Sequence, residues 1–198
     1  MDIILASGSP RRKQLLAQMG IETFRVISSD ADETVEPGLS PARIVEILSA
    51  RKAEAVADHA KPGGLVIAAD TIVALDGAVL GKPNDGLEAF RMLSALSGRR
   101  HQVYTGVTLL RDGERRTEQE VTTVTFRELT QDDITRYIAT GEPMDKAGAY
   151  GIQGLGGLLV EGIRGDYFNV VGLPICRLGR MLLDFGVDCL ALAGGQSF

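Results

Sequence analysis

Ser7-Gly8-Ser9-Pro10-Arg11-Arg12 places two hydroxyls and two guanidiniums directly behind the apolar run Ile3-Ile4-Leu5-Ala6. A strand that empties into a small-residue turn and then a helix leaves free backbone N–H groups at the helix start. With the helix dipole these form an anion site. The arginines would add the charge-assisted bonds that hold phosphate. The same hexapeptide also suits a capped helix with solvated arginines, so by itself it leaves both uses open. It is not a Walker loop, because G-x-x-x-x-G-K-[ST] occurs nowhere in the chain.

Asp70 is the second candidate. It interrupts the apolar run Val66-Ile67-Ala68-Ala69 and Ile72-Val73, and a carboxylate is costly to bury unpaired. A cation, a metal or a water is expected beside it; the alternative is a side chain facing solvent. The segment Ser28–Glu36 carries Asp30, Asp32, Glu33 and Glu36 without a basic residue. Asp32-Glu33 is the expected working pair, since Mg²⁺ is held by one or two carboxylates plus substrate phosphates, while Asp30 and Glu36 read as solvated. Lys52, Lys82 and Lys146 matter only if the fold gathers them. Ala149-Tyr150-Gly151-Ile152-Gln153-Gly154 lacks the spacing of a dinucleotide fingerprint. Its glycines read as letting backbone approach a ligand, and the Gln153 amide offers a donor and an acceptor to a base edge.

The elements that must position these residues follow from pattern. Ile3–Ala6 reads as a buried strand. Ser9-Pro10 opens a helix that Gly20 closes, and Ser40-Pro41 opens a second, longer one. A short strand is expected at Phe24–Ile27. Leu65–Leu75 reads as a strand turned by Asp76-Gly77 into a short return strand. Asn84 or Asp85 caps a helix to Leu96, and Thr130 caps another. His101–Leu110 and Glu118–Phe126 form a second hairpin around Asp112-Gly113, Leu158–Val160 a last strand, and Leu173–Phe185 a closing helix. Alternating strands and helices with hairpins between them imply an α/β fold on a mixed sheet.

Composition narrows the function. The 198 residues are 44% hydrophobic and 24% charged, with formal net charge −5, 5% aromatics and no Trp. A nucleic-acid-coating protein would show a basic surplus or stacking aromatics, so no nucleic acid partner is expected. No run approaches the ~18 apolar residues of a membrane span, and the first residues lack a signal peptide's basic start and long apolar stretch. A cytoplasmic protein without a membrane partner is expected. Cys176 and Cys189 read as reduced thiols. His59 and His101 occupy no metal-binding spacing, and the absence of G-x-S-x-G argues against a serine hydrolase.

Taken together, Ser7–Arg12, Ala69-Asp70-Thr71, Gly81-Lys82-Pro83, Asp145–Gly154 and Asn169-Val170-Val171-Gly172-Leu173-Pro174 resemble the Maf family of nucleoside triphosphate pyrophosphatases, in order, from about residue 3 to 185. The resemblance implies a Maf/inosine-triphosphatase-like fold: an elongated mixed sheet flanked by helices, with a cleft between two lobes. It implies one domain over 1–190, with 191–198 as a flexible tail. It is closest to the dTTP/UTP pyrophosphatase branch, with Arg11, Thr71 and Gln153 at the specificity positions and Asp70 at the proposed proton acceptor. The substrate it implies is a nucleoside triphosphate, hydrolysed to monophosphate and pyrophosphate in a house-cleaning role. Ser7, Ser9, Arg12, Lys52 and Lys82 are then expected on the phosphates. Glu33 and Asp70 are expected on a divalent cation, Mg²⁺ or Mn²⁺. A homodimer is left open. The rival readings are a non-catalytic nucleotide-binding regulator of septum formation and a phosphotransferase.

Overall fold

The computed structural model describes residues 1–194. Seven strands form one mixed sheet: β1 (Ile3–Leu5), β2 (Arg25–Val26), β3 (Leu65–Leu75), β4 (Ala78–Leu80), β5 (Arg100–Arg111), β6 (Glu114–Phe126) and β7 (Val160–Arg164), in the order β2-β1-β3-β5-β6-β7 with β4 also on β3. β1 runs parallel to β2 and β3, and every other pairing is antiparallel. The helices are α1 (Pro10–Gln18), α2 (Pro41–Glu54), α3 (Gly86–Leu96), α4 (Gln131–Ala139), α5 (Tyr167–Val171), α6 (Ile175–Asp184) and α7 (Cys189–Ala193). Among the described residues, no helix is long and apolar enough to cross a membrane.

β3 is covered on both faces, which is why it reads as an almost unbroken apolar run. Leu65, Ile67 and Ala69 pack with Leu15, Leu16, Leu178 and Met181 of α1 and α6. Farther along the same face, Val73 and Leu75 join Leu93 and Ile134 of α3 and α4. On the opposite face Val66 and Ala68 meet Ala53, and Ile72 meets Val45 and Leu48, all from α2. α2 lies unusually close to the sheet because Gly106 of β5 has no side chain. A Cβ there would run into the Val45 carbonyl. The Ser49 hydroxyl, 2.9 Å from that of Thr108, pins the helix to the same strand.

The sheet has a notch. β1 pairs with β3 only at Leu65–Ile67, and β4 only at Val73–Leu75. β5 holds the other edge of β3 from Val66 to Ala74, so β1 and β4 share one edge. Residues 68–72 therefore have no strand neighbour on that edge among the described residues. Parallel β1 runs into the gap from one end and continues as Ser7-Gly8-Ser9. Antiparallel β4 runs into it from the other and continues as Gly81-Lys82. Asp70 is at the middle.

Most expected elements are present, and the departures have local causes. β6 starts at Glu114 because the Asp112-Gly113 turn, with φ of 47° and 86°, closes a tight hairpin whose pairing reaches Arg111–Glu114. These first β6 residues face solvent and carry no apolar alternation, so the pattern does not announce them. A 3₁₀ turn occupies Leu155–Leu159, which moves the last strand to Val160–Arg164. Residues 191–193, the start of the expected tail, belong to α7, whose first turn is capped by the Asp188 carboxylate. The rest of that tail, 195–198, lies outside the described residues.

Candidate active site

The notch opens into a cleft of about 1010 Å³. All ten residues that the family resemblance puts at the site line it: Ser7, Ser9, Arg11, Arg12, Glu33, Lys52, Asp70, Thr71, Lys82 and Gln153. Asp70 and Thr71 are neighbours in a strand and so project to opposite faces of the sheet. The missing strand edge is what lets one cleft reach both.

On the α2 face, Lys52 Nζ lies 2.5 Å from Asp70 Oδ1 and 2.7 Å from Glu33 Oε1. Asp70 is 7% exposed, so its carboxylate has the cation that its apolar setting demands. Lys52 can reach it because it follows Val45 by seven residues, two helical turns, on the face that Gly106 lets approach the sheet. Glu33 is brought in by its loop, since the Arg51 guanidinium donates to the Asp32 and Thr34 carbonyls. The Lys52 ammonium holds the Glu33 carboxyl below its usual range. Asp32, expected to work beside Glu33, does not line the cleft; its carboxylate accepts the Thr34 N–H at 2.8 Å and shapes the turn.

On the other face, Arg12 is largely committed to the protein. Its Nε donates to the Gly172 carbonyl at 2.8 Å, Nη1 to Ser7 Oγ at 3.1 Å and Nη2 to Thr71 Oγ1 at 2.9 Å. Burial lowers its pKa, the Asp70 charge offsetting part of that effect. Ser7 Oγ also accepts the Ser9 N–H at 3.3 Å, which leaves its own proton for a ligand. Ser9 occupies the α1 N-cap, yet its hydroxyl makes no cap bond.

A directed chain runs inward from Arg12. The Thr105 hydroxyl donates to the Asn169 carbonyl at 3.1 Å, so its oxygen can only accept from Thr71, 2.9 Å away. Thr71 thus spends its only proton inside the protein, on Thr105 or on the Gly172 carbonyl 3.5 Å away, and has only acceptor capacity left for a ligand, one part of it already taken by Arg12. Asn169, fully buried, ties α5 to β5 and β6 through Val103 O at 2.9 Å and Thr122 Oγ1 at 3.0 Å. Sequence reasoning assigns no role to Thr105, Asn169 or Glu142. The one signal for Asn169 is its place in the Asn-Val-Val-Gly-Leu-Pro motif.

Among the described residues no group of three or more His, Cys, Asp or Glu converges on one point. Glu33 and Asp70 nevertheless share a cation, the Lys52 ammonium. Two hard oxygen donors bracketing one positive charge fit Mg²⁺ or Mn²⁺ completed by substrate phosphates, and do not fit a self-sufficient protein cage.

A mixed α/β sheet whose notch gathers small hydroxylated turns, cations and two carboxylates defines a protein built to handle a polyphosphate. The chain belongs to the Maf-like protein family, which it matches over residues 2–185. Among its relatives, the dTTP/UTP pyrophosphatase of Moorella thermoacetica is 53% identical over 188 residues, 94% of this chain and 96% of that one. The dTTP/UTP pyrophosphatase of Symbiobacterium thermophilum is 54% identical over 184 residues, 93% of this chain and 94% of that one. That of Pelotomaculum thermopropionicum is 50% identical over 191 residues, 96% and 99%. The solved structure of the Staphylococcus aureus Ham1 protein aligns with TM-score 0.47 and 18% identity, over 64% of this chain and 72% of that one.

Proposed function

We propose that the chain hydrolyses dTTP and UTP to the nucleoside monophosphate and pyrophosphate. The observation that carries this reading is the Glu33–Lys52–Asp70 triad in the notch, facing the Ser7–Arg12 turn and Lys82. The names of relatives at about half identity over nearly the whole chain support the same activity.

Asp70 orients the attacking water and takes its proton as the oxygen bonds to the α-phosphorus; the bond to the β-phosphate oxygen breaks and pyrophosphate leaves. The Lys52 ammonium occupies one oxygen of the Asp70 carboxylate. Drawing Lys52 onto substrate phosphate frees Asp70 when substrate is present. Ser7 and Ser9 donate to phosphate oxygens, and Lys82 and Lys52 neutralise the departing pyrophosphate. Arg12 adds positive potential and holds Ser7 and Thr71 in place. Glu33 and Asp70 would hold the divalent cation, which offsets triphosphate charge when bound.

Arg11, Thr71 and Gln153 select the base. The Thr71 hydroxyl, committed as an acceptor, has the polarity to meet the N3–H of thymine or uracil; cytosine offers an acceptor there. Gln153 and Arg11 supply donors for the ring carbonyls.

The test is incubation with dTTP or UTP and Mg²⁺, with and without excess EDTA. Pyrophosphate and monophosphate in equal amounts, lost with EDTA, are expected. Binding without product marks a regulator, and a nucleoside diphosphate with a phosphorylated acceptor marks a phosphotransferase; either overturns the reading.

A further inference from the structure

One carboxylate holds the turn that carries Gln153. Glu142 stands in the 3₁₀ turn after α4. Its Oε1 accepts the Tyr137 hydroxyl at 2.8 Å and the Gly156 N–H at 3.0 Å, and its Oε2 accepts the Leu155 N–H at 2.9 Å. The Tyr137 oxygen in turn accepts the Gly151 N–H at 3.2 Å. The two ends of the 151–156 turn are therefore fastened to one Glu142–Tyr137 pair, with Gln153 at the exposed tip between them. The glycines are explained by close protein neighbours, this pair and Lys146, rather than by a ligand. A Cβ on Gly154 would strike the Glu142 carboxylate, one on Gly156 would stand 2.6 Å from the Tyr137 oxygen, and one on Gly151 would stand 2.6 Å from Lys146 Cε. Lys146, expected only as a loose cation, donates to the Glu142 carbonyl at 2.7 Å and to Asp145 at 2.6 Å, bracing the 3₁₀ turn that carries Glu142.

The polarity of the pair is set. Burial pushes the Glu142 carboxyl up, but the N–H groups of Gly156 and Leu155 and the Tyr137 hydroxyl outweigh it, and the net shift is downward. Burial, then the Glu142 carboxylate, raises the Tyr137 phenol. At neutral pH the first is an anion with three donors and the second keeps its proton.

We propose that Glu142 is a positioning residue for base recognition: with Tyr137 it clasps the 151–156 turn and fixes Gln153 against the base of the bound nucleotide. This rests on the reading that Gln153 meets the base. Glu142 is otherwise remote in role from the chemistry, which belongs to the Asp70 side of the notch.

Glu142→Gln keeps the side chain's shape but turns one acceptor oxygen into an NH₂ group that meets the Leu155 N–H donor to donor. The kcat/KM for dTTP relative to that for dCTP is expected to fall about tenfold, the scale of losing one charge-assisted hydrogen bond. The inhibition constant of inorganic tripolyphosphate, which occupies only the phosphate side, is expected to stay within about twofold of wild type. Amide exchange at Leu155 and Gly156 is expected to accelerate. Tyr137→Phe removes the bond to the Gly151 end of the turn and the link between Tyr137 and Glu142, and supplies the same readouts if Glu142→Gln does not fold. Gln153→Ala is measured in parallel, and the double variant is expected to discriminate no worse than Gln153→Ala alone. If Gln153→Ala leaves the dTTP-to-dCTP ratio unchanged, the base-reading role of Gln153 is wrong and the clasp falls with it. If Gln153→Ala lowers the ratio and Glu142→Gln does not, the clasp alone is wrong. Equal loss of tripolyphosphate inhibition would make Glu142 a support of the whole site and also overturn the proposal.

Discussion

Asp70→Asn tests the chemistry with little disturbance to the fold. Asparagine has nearly the volume of aspartate, and its carbonyl can still accept from Lys52, which lies 2.5 Å from Asp70 Oδ1. The ammonium is not stranded, because Glu33 remains 2.7 Å away on its other side. The structural loss is the difference between a charge-assisted and a neutral hydrogen bond, on the order of 1 kcal/mol. For a domain near this length that lowers Tm by roughly 2–4 °C. The catalytic loss is larger by a different mechanism. An amide cannot take a proton from water, and removing a general base costs ~10²–10⁴ in rate, or about 3–5 kcal/mol of barrier. The assay is pyrophosphate release at saturating dTTP and Mg²⁺, with calorimetry on the same preparation. A folded variant whose kcat stays within about threefold of wild type, far short of a lost base, would falsify the assignment of Asp70 to the proton transfer.

Three further outcomes are expected. Gln153→Glu sets a carboxylate against the pyrimidine carbonyls, and kcat/KM for dTTP and UTP should fall about tenfold or more, with 7-methyl-GTP losing less; Arg11→Trp should shift preference the same way, and equal loss on all three substrates would return both residues to the phosphates or the fold. Thr105→Val removes the nearer of two acceptors for the Thr71 proton and leaves the Gly172 carbonyl at 3.5 Å, so Thr71 can turn its proton to a ligand and discrimination against dCTP should weaken several-fold, whereas an unchanged dTTP-to-dCTP ratio would show that the hydroxyl chain does not set polarity. His101, fully buried and 2.8 Å from the Tyr150 hydroxyl, is held by burial at about 4 rather than 6.5. Between those values only the unfolded chain takes the proton, so its contribution is complete above pH 6.5 and is lost as pH falls toward 4. The loss amounts to about 3 kcal/mol, read by urea unfolding at pH 7 and 4.5; an equal pH slope in His101→Gln would assign the loss to other groups.

What a sequence discloses here depends on how far apart the cooperating atoms lie along the chain. The Ser7–Arg12 turn is legible because strand, small residues, proline and helix follow within a dozen positions. Asp70 is legible because its apolar neighbours make an unpaired carboxylate costly, which holds wherever the strand ends up. That its partner is Lys52 is not legible. The pairing needs α2 to lie close on the sheet, and this depends on Gly106 meeting Val45, a contact between residues 61 positions apart that leaves no local periodicity. Asp32 and Glu33 look equivalent as a pair, yet an Asx-type turn and the hold of Arg51 send one outward and the other to Lys52.

The notch makes the same point at the level of the sheet. Strand propensity announces β1, β3 and β4 separately, but not that β1 and β4 use the same edge of β3 and stop short of each other. That partition of one edge brings the phosphate turn, Lys82 and the Asp70 carboxylate together, and it opens both faces of β3 to one cleft. Acid–base chemistry can then be placed on the α2 side at Asp70, and base polarity on the far side at Thr71. Under the proposed function, two adjacent residues in an otherwise buried strand serve different parts of one substrate because a sheet's two faces meet only where its hydrogen-bonded edge is interrupted.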